Sequence, residues 1–253
     1  GFISSLFLMS FSASAADLNE ILKSGEVKIA VPEAFAPFGS VGKTGEHEGY
    51  DVDVAKLIAK DLGVKLKIVP VVSKQRIPFL ETDKVDLVIS TMGANPSRAK
   101  SINFSSAYAP FYSGVFAPSS IKVSSYADLE GLTIGVTGGT LEDLELTKMA
   151  PKGAKITRFG DNAATLSAIK SKQVQVLVAG NTVAASVTEA NPDFDLERKF
   201  IIKDSPCFIG VKKGNEDLLR WVNVFILHKK LGGDLNKISL KWLGQDLPSL
   251  PSL

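Results

Sequence analysis

The chain has 253 residues, 45% of them apolar and 22% charged, a globular composition that accommodates one large domain or two lobes of about 100 residues each. Neither disorder nor a multi-span membrane protein fits that balance. A formal net charge of +2 on 29 basic and 27 acidic side chains leaves no broad cationic face, and no Lys/Arg run exceeds two residues, which argues against nucleic acid as a partner.

Residues 1–16 carry no charge, hold an apolar stretch from Phe2 to Phe11, and finish in Ala13, Ser14 and Ala15, the A-x-A pattern cut by signal peptidases. The segment reads as the tail of a secretory signal, with a buried first helix as the alternative; it is too short to span a bilayer. Export predicts an oxidising compartment. Cys207 is the single cysteine, so no internal disulfide can form, and no cysteine follows the small-residue run to carry a lipid. The expected location is the periplasm.

From Asp17 onward strand and helix patterns alternate. Residues 27–31 are β-rich, and 32–49 form a Pro- and Gly-containing loop. In 51–62, Val54, Leu57, Ile58 and Leu62 share one helical face, with Gly63 as the stop. Residues 65–71 alternate as a strand, 76–82 form a short helix, and 85–90 are a continuous apolar strand of the kind buried in parallel sheets. A second set repeats this order: strand 132–136, helix 141–149, strand 155–159, helix 163–172 and apolar strand 174–179, followed by strand 208–213 and helices 216–231 and 235–243. The expected fold is α/β, two similar lobes joined by a hinge with two chain crossings. Residues 17–112 with 206–253 would form the first lobe, and 113–205 the second.

Ligands of open parallel sheets bind at the carboxyl ends of strands. The first apolar strand runs into Thr91, Met92 and Gly93, after which Asn95 suits a helix cap, Pro96 the first helical position, and Arg98 the first turn. A cation there opposes the helix dipole, so another factor should favour it. Its guanidinium fork suits a ligand carboxylate; an ordinary surface arginine is the bland alternative. In the second lobe Gly138, Gly139 and Thr140 precede a helix whose first amides form a natural anion site. The matching apolar strand ends at Gly180 and Asn181.

An ordered set of motifs then accumulates: Phe35-Ala36-Pro37-Phe38, Gly49-Tyr50-Asp51-Val52-Asp53, Lys84-Val85-Asp86-Leu87, Pro96-Ser97-Arg98-Ala99-Lys100, Asn103-Phe104-Ser105, Ala127-Asp128-Leu129-Glu130-Gly131, and Lys241-Trp242-Leu243-Gly244. With these the chain resembles the periplasmic polar-amino-acid binding proteins of ABC importers, the family 3 extracellular solute-binding proteins. The resemblance implies two lobes closing like a clamshell on an amino acid or N-substituted derivative, a membrane permease as partner, a monomer, and no cofactor. It matches Arg98 to the carboxylate-binding arginine, Thr140, beside Gly139, to the threonine that meets the same carboxylate, Phe35 to the aromatic that covers the ligand, and Ser73 and Arg76 to pocket positions.

Two positions depart from the family pattern. Gly93 stands where a threonine or serine is usual, and Gly180 where an aspartate pairs with the ligand's α-ammonium. Either the ligand lacks that ammonium or Asp161 or Glu142 replaces the aspartate. Both glycines also remove bulk, so a larger pocket is expected. Gly42, Lys43 and Thr44 lack the rest of a nucleotide motif, and Asp51 and Asp53 diverge on a helix, so neither a nucleotide nor a metal site is expected. Serine and cysteine nucleophile signatures are missing. A periplasmic dehydratase-like enzyme on the same scaffold is the alternative function, and the sensor lobe of a receptor a third.

Overall fold

The computed structural model describes residues 17–244 and 246–253; the 1–16 segment lies outside the described residues. Helix α1 (Leu18–Ser24) is capped by Asp17, whose carboxylate accepts the Glu20 N–H at 2.9 Å, and is stopped by Gly25 at φ 71°. It buries Ile21 alone, too short a pattern to be read from sequence. Strand β1 (Glu26–Pro32) leads into a loop holding the small hairpin of β2 (Ser40–Val41) and β3 (His47–Glu48). Then follow α2 (Tyr50–Leu62), β4 (Lys65–Val71), α3 (Arg76–Glu81), β5 (Leu87–Met92), α4 (Pro96–Ala99) and β6 (Ile102–Ala109).

The second lobe contains β7 (Tyr112–Ala117), β8 (Thr133–Thr137), α5 (Leu141–Met149), β9 (Lys155–Phe159), α6 (Asn162–Lys170), β10 (Val176–Gly180), α7 (Asn181–Ala190) and β11 (Glu197–Asp204). The chain returns to the first lobe as β12 (Cys207–Lys212), α8 (Glu216–Leu231) and α9 (Asp234–Leu243).

Two five-stranded sheets result, in the orders β4-β1-β5-β12-β6 and β9-β8-β10-β7-β11. In each, three parallel strands precede an antiparallel fourth. Both fourth strands, β12 and β7, have just crossed from the other lobe. The crossings pass through Pro110 and Phe111, and through Ser205 and Pro206, and the Ser205 N–H donates to the Phe111 carbonyl at 2.9 Å. The first core gathers Ile29, Tyr50, Ile58, Ile209, Val222 and Leu235; the second gathers Val115, Ile134, Val136, Leu146 and Val178. No helix among the described residues is long and apolar enough to cross a membrane.

The apolar strands begin two residues later than their sequence pattern suggests. Asp86 explains the first shift: its N–H donates to Lys28 O at 2.8 Å and its carboxylate accepts the Lys28 N–H at 2.7 Å, which fastens 85–86 ahead of the ladder. Asp51 and Asp53 do diverge. Asp53 takes Lys241 Nζ at 2.6 Å and Trp242 Nε1 at 2.8 Å, tying α2 to α9, whereas Asp51 turns inward.

The start of α2 depends on a close backbone approach. Gly49 has φ 136°, and a Cβ there would meet the Phe38 carbonyl. Gly49→Ala is expected to cost about 2 kcal/mol or more, read as a lower denaturant midpoint; an unchanged midpoint would show that the loop adjusts freely.

Candidate functional site

The carboxyl end of β5 is held in an unfavourable backbone conformation. Thr91, a β-branched residue, has φ 43°, which costs on the order of 1–3 kcal/mol unless the surroundings enforce it. Its N–H donates to Asp51 Oδ2 at 2.9 Å, and the other Asp51 oxygen accepts the Tyr108 hydroxyl at 2.6 Å. Arg76 Nη1 donates to Ser90 O at 2.8 Å and Thr91 O at 3.3 Å, and its Nε donates to Ser73 O at 3.1 Å. Burial pushes the Asp51 carboxyl well up, opposed by those hydrogen bonds and by Arg76. Burial, then repulsion from Arg98, brings Arg76 down to about 10, with Glu142 opposing. Arg76 therefore stays charged at neutral pH, with its fork bonded to backbone carbonyls.

Beyond Thr91 the chain forms the turn anticipated from sequence. Asn95 Oδ1 accepts the Arg98 N–H at 2.8 Å, and Pro96 opens α4. Arg98 Nη1 donates to Gly93 O at 2.8 Å, and Nη2 crosses to the second lobe to donate to Gly139 O at 3.3 Å. Burial lowers the Arg98 pKa, and Glu142 opposes that shift.

The opposing turn is built around Asp143. Gly139, at φ 81°, donates its N–H to Asp143 Oδ2 at 3.0 Å. Thr140 caps α5, accepting the Asp143 N–H at 3.2 Å and donating its hydroxyl to Thr137 O at 2.8 Å. Arg158 Nε anchors Asp143 at 2.7 Å. The next residues, Leu141 and Glu142, open α5, where N–H groups have no partner within the helix.

Between the turns lies a narrow cavity of about 30 Å³. The first lobe contributes Phe35, Ser73, Arg76, Thr91, Gly93 and Arg98, and the second Thr137, Thr140, Leu141, Glu142, Asn162 and Gly180. Phe111 and Ser205, from the two crossings, complete the wall. Parallel-strand ends of both sheets thus converge on one space. Among the described residues no cluster of three or more His, Cys, Asp or Glu side chains is placed to hold a metal ion.

The family model for bacterial extracellular solute-binding proteins, family 3, matches residues 27–245. The chain belongs to this family. It is 30% identical over 207 residues to the ABC transporter glutamine-binding protein GlnH of Bacillus subtilis, covering 80% of this chain and 75% of that protein. The P235GK mutant of ArgBP from T. maritima superimposes with a TM-score of 0.83 at 31% identity, over 90% of this chain and 99% of that one. The ancestral amino acid-binding protein AncCDT-1, a precursor of cyclohexadienyl dehydratase, has a TM-score of 0.83 at 30% identity, over 89% of this chain and 98% of its own.

In this family 3 member, three residues expected at the site do not line the cavity. Met92 follows the outward-twisted Thr91 and turns into the core with Ala30, Leu80, Val88 and Ile102. Asn181 does not line the cavity; its Oδ1 accepts the Tyr112 N–H at 3.0 Å and fastens the start of α7 to β7. Gly139 contributes its carbonyl to Arg98 rather than lining the cavity.

The expectation of extra room at the two glycines is also overturned. A Cβ at Gly93 would meet the Ser205 hydroxyl, so the hinge brings a hydroxyl to the place where the family pattern has a serine or threonine. A Cβ at Gly180 would fall inside the Phe111 ring. That ring packs edge-on against Phe35 at 6.3 Å and Phe38 at 5.9 Å between centroids. Sequence reasoning missed Phe111 and Ser205 as lining residues because their position depends on both crossings; Pro110 and Pro206, each beside one of them, were the available signal.

Gly180→Asp should lower the thermal midpoint by displacing Phe111. Phe111→Ala is itself expected to cost about 3–5 kcal/mol, and the double variant should be more stable than the sum of the single losses by about 1 kcal/mol or more. Simple additivity would show that the ring and residue 180 do not compete for one space.

Proposed function

We propose that this chain is the solute-binding component of an amino-acid ABC importer. It captures a small carboxylate-bearing ligand, an amino acid or N-substituted derivative, between its lobes, and the closed form delivers that ligand to a membrane permease from the periplasm. The lobes divide as 17–112 with 206–253 against 113–205, and the protein works as a monomer. The observation that carries this reading is Arg98: a half-buried guanidinium in the first lobe reaching Gly139 of the second across the cavity. A guanidinium has five N–H donors; two bond Gly93 and Gly139, so donors remain for a carboxylate. A ligand held there joins both lobes through one cation. Family membership and the binding functions named for GlnH and ArgBP support the same class.

A periplasmic enzyme on the same scaffold is the second reading. It is favoured by Glu142, a buried carboxyl facing the cavity with no hydrogen bond or ion pair among the described residues, as an acid or base would require. Saturable binding that returns the ligand unchanged supports transport, whereas turnover supports the enzyme.

Arg98→Ala should abolish ligand-induced thermal stabilisation, which for the parent protein amounts to about 2.7 kcal/mol at a ligand concentration 100-fold above Kd. Screening free amino acids, N-acetyl amino acids and dicarboxylates by thermal shift measures this. Undiminished stabilisation in the variant would remove Arg98 as the anchor.

A further inference from the structure

The cavity has a charge pattern that the carboxylate anchor does not explain. Arg98 and Arg76 stand on the first-lobe side, and Glu142 is the single carboxylate among the residues lining this cavity. Glu142 is the second residue of α5 and 6% exposed. It has no hydrogen bond or ion pair among the described residues, although it acts electrostatically on both arginines. Its carboxylate faces the cavity without a bonded partner, and a cation arriving with the ligand would supply one.

The usual place for such a carboxylate is closed in this chain. Residue 180 is glycine, and its side-chain space holds the Phe111 ring, so no ligand cation can be matched from the end of β10. Asp161 borders an adjoining part of the cleft, but it caps α6, its Oδ1 accepting the Ala164 N–H at 2.7 Å. Glu142 has no such structural duty.

We propose that Glu142 is the counter-ion for a positive group on the ligand, so that the recognised solute is a zwitterion held between Arg98 and Glu142. This deepens the binding reading above and rests on it. The ligand's carboxylate lies at Arg98 and the start of α5, and its cation points along the Glu142 side chain rather than toward the end of β10. The positive group is either an α-ammonium or a cationic side chain, and chemistry separates the two.

The full chain, its Glu142→Gln, Glu142→Asp and Asp161→Asn variants, and Arg98→Ala are titrated calorimetrically with L-glutamine, L-arginine and N-acetyl-L-arginine. Unliganded thermal midpoints check that each variant folds. Glu142→Gln is expected to weaken amino-acid binding on the order of a hundred-fold, the range found when one partner of a buried charge pair is removed, with Glu142→Asp retaining part of the affinity. Loss of both free amino acids identifies the α-ammonium. Loss of the two arginine compounds with glutamine unaffected identifies the side-chain cation. Parent-like affinity in Glu142→Gln, or a comparable loss confined to Asp161→Asn, overturns the assignment while leaving the binding reading intact. If the parent protein binds none of the three probes, the assignment is overturned; if Arg98→Ala binds them as the parent does, the binding reading fails and the assignment with it.

Discussion

A half-buried guanidinium bonded to carbonyls on both sides of a cleft is the interaction on which this molecule turns. Arg98 loses water on burial, which lowers its pKa, and the Gly93 and Gly139 carbonyls supply part of what water gave it. Glu142 opposes the shift through space. Carbonyl dipoles stabilise the cation without cancelling its charge, so the site still favours an anion. Since Gly93 and Gly139 belong to different lobes, the relative placement of the lobes and the solvation of Arg98 are one problem. That coupling is the physical basis on which the proposed binding role rests.

The first-lobe half of the cleft is braced by groups located behind it. Thr91 sits in a backbone region that threonine avoids, and it is held there from two sides: Asp51 takes its N–H, and Arg76 binds its carbonyl and that of Ser90. Tyr108 completes the Asp51 carboxylate, and Tyr50 Oη donates in turn to the Tyr108 carbonyl at 2.8 Å. Arg76, which the family resemblance placed in the pocket, reaches the cavity wall but directs its fork into this support. Strain at the cleft is thus maintained by satisfied polar groups in the adjoining core.

Complementary substitution explains the two glycines. At Gly93 the missing side chain is matched by the Ser205 hydroxyl, and at Gly180 by the Phe111 ring. Both replacements come from the crossings between lobes, and the crossings are hydrogen-bonded to each other. Residues far apart in the chain therefore determine the shape of one wall. Position-by-position reading detected the losses at 93 and 180 without detecting what fills them.

Much of the architecture is local chemistry. The duplicated order of strands and helices, the Asn95-Pro96 helix start, the stop at Gly63 and the Gly138-Gly139-Thr140 turn follow from periodicity, capping and left-handed glycines, so they were legible in the residues themselves. So was Arg98, whose position in a first helical turn works against the helix dipole. Seven elements were not legible: α1 is short, β2 and β3 have two residues each, α7 follows its strand without a loop, and the pairing of β6, β7 and β11 is set by distant strands rather than by their own pattern. Tertiary structure alone decided that Met92 faces the core, that Asn181 ties the start of α7 to β7, that Phe111 occupies the space beside Gly180, and that Glu142 faces both arginines without a bonded partner. Each depends on where non-adjacent backbone segments stop and how closely they approach. Periodicity reports which face a residue occupies, but distance across a cleft exists only once both lobes are assembled.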